Sequence, residues 1–147
     1  MKLVTHLFEG NEQLALLVNN SLYHTQLLHP SLPNTMKDFL SDWDKHIGLA
    51  KTAESEITAG KHTAQCNFDS ANILAPVPAP SSCRDGYAFR QHVAAARRNR
   101  KVDMIAEFDQ YPIFYFTNHN AIQGPGEIIC MPDHFQKLDF ELEVAIV

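Results

Sequence analysis

Cysteine is scarce in this chain. The three present, Cys66, Cys83 and Cys130, are odd in number, far apart and in no Cys-x-x-Cys arrangement. That pattern argues against a zinc site or a disulfide framework and reads as free thiols in a reducing cytoplasm. Long apolar runs are also missing, and nothing approaches the roughly 20 residues of a membrane-spanning helix. The opening MKLVTHLFEGNEQ is interrupted by His6, Glu9 and Glu12, so it lacks the apolar core of a signal peptide. Positive charge is in deficit: 12 Lys and Arg against 17 Asp and Glu leave a net −5. An acidic balance does not suit non-specific binding to nucleic acid. GxSxG and HExxH are absent, as is any Cys/His pairing of recognisable spacing, so hydrolysis through a serine or cysteine nucleophile has no support.

What is present fits a globular chain of α+β class. The 147 residues suffice for one ordinary domain or two small ones, and 45% hydrophobic with 20% charged residues is ordinary for such a chain. Residues 1–30 read as short strands, KLVTHLF, LALLV and LYHTQLL, separated by the turn-like EGNEQ and NNS. HPSLPNT then breaks the pattern. A helix is predicted from about Met36 to Ala59, with Thr35 as N-cap, Asp38 reaching back to it and Gly60 as the stop. Met36, Phe39, Leu40, Trp43 and Ile47 recur at helical spacing, which is the mark of a helix packed on a small sheet. LAPVPAPSSCRD, residues 74–85, is too rich in proline for a helix or a central strand. It divides a small N-terminal domain, 1–73, from a second unit, 74–147. There, a helix is predicted from about Tyr87 to Arg100, with Phe89 and Val93 sharing a face. YPIFYF reads as a strand, and the alternating LDFELEVAIV, residues 138–147, as a final one.

Three constellations could carry chemistry. On a strand, Glu141 and Glu143 project to one side about 6–7 Å apart at Cα, a spacing that suits one hard divalent cation such as Mg²⁺, Mn²⁺ or Ca²⁺. An exposed strand with acidic residues outward is the plainer explanation. Asp85 stands just after the proline-rich stretch, with Tyr87 and His92 close behind. It reads as a helix cap or as a third metal carboxylate, and His92 as a structural histidine or as a general base titrating near neutrality. In NHNAIQGPG, residues 118–126, Asn118, His119 and Asn120 could offer hydrogen bonds to a substrate, or the stretch could simply connect. The basic residues crowding Arg97 to Lys101 suit a helix C-terminus.

Taken in order, PVPAPSSCRDGYAFRQHV, YPIFYFTNHNAIQGPGE and LDFELEVAIV resemble the fumarylacetoacetate hydrolase family over about residues 74–147. The resemblance implies the first part of a mixed β-sandwich roll, and a divalent-metal-dependent cytoplasmic hydrolase. Such an enzyme cleaves a carbon–carbon bond in a 1,3-dioxo acid of fumarylacetoacetate or acylpyruvate type, as in aromatic amino-acid catabolism. It implies Asp85, Glu141 and Glu143 as metal ligands and His92 as the residue activating water. Tyr87, Tyr115 and Arg100 (or Lys101) would contact substrate, joined by Asn118 and Asn120 if the 118–126 loop faces it. Mg²⁺, Mn²⁺ or Ca²⁺ would be the cofactor and a small keto acid the substrate, with no nucleic acid and no membrane. Gly86 stands where many relatives carry an aromatic residue. Relatives also continue past the paired glutamates, so the resemblance implies association with a missing C-terminal half; the family tendency implies a homodimer. A non-catalytic fragment, a partner-dependent subunit, or a decarboxylase or isomerase on the same metal site are the alternatives.

Overall fold

A computed structural model describes residues 1–131 and 133–147. Strands β1 (Leu3–Phe8), β2 (Asn11–Val18) and β3 (Ser21–His24) form a meander. Both of its turns have two residues. Glu9 and Gly10 lie at φ 50° and 81°, and Asn19 and Asn20 at 48° and 62°. Two successive positive φ values give the turn whose twist matches the flanking strands, and Gly and Asn tolerate that region best. The short strands β4 (Cys66–Asn67) and β5 (Asn72–Ile73) complete an antiparallel sheet of order β4-β3-β2-β1-β5. Residues Thr25–Leu28, expected to continue the third strand, instead form a helical turn, α1. Thr25 is buried there, and its hydroxyl shares its one hydrogen between the carbonyls of Leu14 and Pro33.

The expected helix from Met36 to Ala59 is two helices, α2 (Met36–Ser41) and α3 (Trp43–Thr58). Thr35 caps the first as expected, accepting from the Asp38 N–H at 3.1 Å. The break falls at Asp42, whose φ of −140° and ψ of 64° leave the helical region. His46 Nδ1 lies 2.9 Å from the Phe39 carbonyl oxygen, so the imidazole replaces the helical partner which that carbonyl loses. After the break the inward stripe is His46, Ala50, Ala53 and Ile57, while Trp43 is 46% exposed. α3 ends where expected, with Gly60 at φ 76°.

Helices α2 and α3 cover one sheet face. Leu14, Leu16, Leu32, Met36, Phe39, Ala50, Ala53 and Ile57 make the larger core. Burying a side chain such as Leu14 or Phe39 stabilises by about 1.5–3 kcal/mol. The opposite face carries Val4, Ala15 and Leu22 beneath Phe68 and Ile73, and beside them two buried histidines. His6 on β1 and His24 on β3 have Nε2 atoms 3.1 Å apart, and His6 Nδ1 has no partner among the described residues. The cheaper tautomer has His6 donating from Nε2, so that the orphaned Nδ1 holds a lone pair and not an N–H.

The proline-rich stretch begins as a rail along β1: Leu74 N donates to Thr5 O at 2.9 Å, and Thr5 Oγ1 to Pro76 O at 2.9 Å. A two-stranded sheet follows, β6 (Arg84–Gly86) against β7 (Phe114–Phe116). Between them lies α4 (Arg90–Asn99), shorter than expected because residues 87–89 stay outside the helix. Val93 is buried but Phe89 is 81% exposed, so the expected shared face is not formed. Arg90 binds both carboxylate oxygens of Asp109, at 2.9 and 3.0 Å, which ties α4 to the 3₁₀ turn Ala106–Asp109. Gly124 seats the 118–126 loop on the first sheet, because a Cβ at that position would stand 2.5 Å from Ile73 O and 2.7 Å from the Leu74 carbonyl carbon.

The expected strand over 138–147 is not present among the described residues, and Phe140, Leu142, Val144 and Ile146 are 83–96% exposed. The alternation of the sequence prepares a face for burial, but a strand also needs a hydrogen-bonding neighbour, and among the described residues none pairs with this segment. The three cysteines are free, as expected. No helix among the described residues is long and apolar enough to cross a membrane.

Candidate metal centre

Strand parity builds the site. In the β6–β7 pair Arg84 faces Phe116, Asp85 faces Tyr115 and Gly86 faces Phe114. Directly opposed residues project to the same side, and neighbours along a strand to opposite sides. Asp85 and Tyr115 therefore share one face. The Arg84 guanidinium lies on the other, 5.5 Å from the Phe114 ring centre and 5.0 Å from that of Phe116, an arrangement that favours a cation over π-faces. This turns the charge of the adjacent Arg84 away from the face that carries Asp85. Bonds from Tyr87 N to Ile113 O at 3.0 Å and from Thr117 N to Cys83 O at 3.1 Å extend the ladder at both ends and hold the register.

Onto the acidic face come Glu141 and Glu143. One oxygen from each of Asp85, Glu141 and Glu143 lies within 4.8 Å of the other two. Asp85 is half-buried and both glutamates are exposed. Oxygens around one hard divalent ion, at roughly 2.0–2.6 Å from it, stand about 3 Å apart when adjacent and about 4–5 Å when opposite. The three carboxylates fit that geometry, and their all-oxygen chemistry suits Mg²⁺, Mn²⁺ or Ca²⁺ over softer metals. Without a counter-charge the three would repel one another. The Tyr115 hydroxyl donates to Asp85 Oδ2 at 2.6 Å. That bond holds the phenol above its ordinary pKa, and burial and the negative charges of Asp85, Glu141 and Glu143 push it the same way.

The other expected residues are not members of this carboxylate cluster. Tyr87 follows Asp85, and its ring stands edge-on to His92, with centroids 6.2 Å apart, and to Phe108 at 6.3 Å. Its hydroxyl is buried with no hydrogen-bond partner among the described residues. A cavity of about 300 Å³ lies beside it, lined by Gly86, Phe108, Tyr111, Ile113 and Phe114. His92 is exposed on α4 and touches Tyr87, not the carboxylates. Arg100 is exposed at the C-cap of α4. Asn118 Oδ1 accepts from the Asn120 N–H at 3.1 Å, so part of its capacity closes a local turn. Phe108 and Tyr111 were not singled out from the sequence. The aromatic density of EFDQYPIFYF is the signal that could have marked them.

Residues 81–147 match the family model described as fumarylacetoacetate (FAA) hydrolase C-terminal. The chain is also similar to the fumarylacetoacetate hydrolase domain-containing protein 2 homolog of Dictyostelium discoideum, at 25% identity over 155 residues. That alignment takes in 100% of this chain and 46% of the relative, so the chain spans about half of that protein's length.

Proposed function

We propose that this chain, whose residues 81–147 belong to the fumarylacetoacetate hydrolase family, is part of a divalent-metal-dependent enzyme. The enzyme would hydrolyse a carbon–carbon bond in a 1,3-dioxo acid of fumarylacetoacetate or acylpyruvate type. The observation that carries this reading is the gathering of Asp85 with Glu141 and Glu143, from two stretches more than 50 residues apart in the sequence. In this reading residues 74–147 begin the family's mixed β-sandwich roll, and 1–73 form the small domain before it.

Asp85, Glu141 and Glu143 would hold Mg²⁺, Mn²⁺ or Ca²⁺. When bound, the ion supplies Lewis acidity toward the substrate oxygens. His92 would take a proton from water, whose oxygen then adds to the carbonyl carbon on the far side of the scissile bond. That carbon–carbon bond breaks, its electron pair passes to the departing carbon, and the proton returns there. Arg100 (or Lys101) would pair with the substrate carboxylate, whose planar charge a guanidinium matches. Asn118 and Asn120 would offer amide donors from the loop that Gly124 anchors. The Tyr87 hydroxyl, buried beside the 300 Å³ cavity with no partner among the described residues, would bond a substrate oxygen.

The test is turnover of acylpyruvates by the complete protein, with and without Mg²⁺, with products followed by NMR. Metal-dependent cleavage that adds one water to the two products is the expected result. Released CO₂ would reassign the site to decarboxylation, and an isomerised product to keto-enol isomerisation. No metal-dependent conversion of any 1,3-dioxo acid would end the enzymatic reading.

A further inference from the structure

Tyr115 has one hydrogen to donate, and Asp85 takes it at 2.6 Å. The pairing is set by backbone register, because Asp85 and Tyr115 are direct cross-strand partners. The bond joins a neutral hydroxyl to a carboxylate, a class that is short and roughly twice as strong as a neutral pair. One Asp85 oxygen is therefore engaged by the protein itself.

We infer that Tyr115 is a positioning residue of the acidic centre: by holding Asp85 Oδ2 it presents Asp85 to a cation through one oxygen and biases the site toward small octahedral ions over Ca²⁺. This rests on the metal reading above. The physical basis is the difference in what the ions ask of a carboxylate. Ca²⁺ takes six to eight oxygens in flexible geometry and often grips a carboxylate with both of its atoms. Mg²⁺ demands near-ideal octahedral geometry and keeps one-oxygen contacts and water. A carboxylate turned by a short bond to one oxygen serves the second demand and obstructs the first.

Among the described residues, the Tyr115 bond is the side-chain hydrogen bond made to Asp85. Arg84, the nearest cation by sequence, is on the opposite side over Phe114 and Phe116. With its single donor spent, Tyr115 can meet a substrate only through its lone pairs or its ring. The donor role toward substrate then passes to Tyr87, whose hydroxyl has no hydrogen-bond partner among the described residues.

The test measures ion affinity and needs no catalysis. Mn²⁺ binding to the full chain is followed by EPR, with Mg²⁺ and Ca²⁺ as competitors, for wild type, Tyr115→Phe and a Glu141→Gln/Glu143→Gln control. Tyr115→Phe keeps the ring, and the residue is exposed, so folding is preserved; thermal unfolding without metal checks this. The expected result is Mn²⁺ affinity weaker by about 10- to 100-fold, the usual loss when an outer-shell partner is removed. The Mg²⁺/Ca²⁺ preference should also fall by about threefold or more, which general loosening of the fold would not produce. Equal affinity and an unchanged preference in Tyr115→Phe, with wild type still binding more tightly than the glutamine control, overturns the inference alone. Wild type no tighter than the glutamine control overturns the metal reading and this inference with it.

Discussion

Lowering the pH from 7.5 to 5.5 should weaken the five-stranded sheet through His6 and His24. Both are buried, at 0% and 6% exposure, and their Nε2 atoms share one hydrogen bond across β2. Burial holds both pKa values below 6.5; the nearby His24 lowers that of His6 further, and Glu9 raises that of His24 by less than burial lowers it. A proton on His24 Nε2 would put two donors face to face, and one on His6 Nδ1 would bury an N–H that has no partner among the described residues. The unfolded chain has no such penalty and takes up protons near pH 6.5. It thus binds more protons than the folded chain, so stability is fully present well above pH 6.5 and falls as pH drops below it. For a histidine that stays neutral when folded, the loss between pH 7.5 and 5.5 is about 1.4 kcal/mol. Two such groups set a ceiling of about 3 kcal/mol, or a shift of about 1–2 M in urea midpoint. The assay is urea unfolding at several pH values for wild type and for His6→Leu/His24→Leu, which removes both partners together. Wild type should show the slope and the double variant should lose it. Equal slopes in the two proteins would refute the reasoning.

Two further substitutions test how the parts are held. Gly124→Ala should destabilise the chain by about 1–3 kcal/mol, because the new methyl meets the backbone of Ile73 and Leu74, which cannot yield as a side chain can; an unchanged melting temperature would show that the loop does not sit on that rail. Thr35→Ala should cost about 1 kcal/mol through loss of the Asp38 cap, measured by thermal unfolding, and Thr35→Ser should restore most of it.

The N-terminal strands were legible because alternation and turn chemistry agree there, with Asn19–Asn20 and Glu9–Gly10 marking both reversals. The capping pair Thr35 and Asp38 was equally plain. The break at Asp42 was not, since it depends on the His46 ring reaching back to the Phe39 carbonyl, a contact that periodicity does not encode. The same limit applies to Thr25–Leu28, where the buried Thr25 hydroxyl outweighs a strand-like pattern. At the site, Asp85, Glu141 and Glu143 were each visible as carboxylates worth marking, and the structure gathers them. The Tyr115 bond was hidden because it depends on the pairing of two strands separated by α4 and a 3₁₀ turn. The final segment shows the opposite failure: its strand-like alternation is strong, yet it has no ladder among the described residues.

The β6–β7 ladder has only three paired positions, and which charge meets the glutamates is decided by odd and even. Substituting a residue there changes one side chain, but deleting or inserting one inside the strand turns every later side chain over. Arg84 or Gly86 would then occupy the place of Asp85, and a guanidinium there would neutralise the glutamates in the ion's stead. The connecting stretch between the two strands carries no such constraint, since residues gained or lost in it leave the pairing untouched. Evolutionary change in length at this centre should accordingly collect in the connection around α4 and avoid the six residues of the two strands.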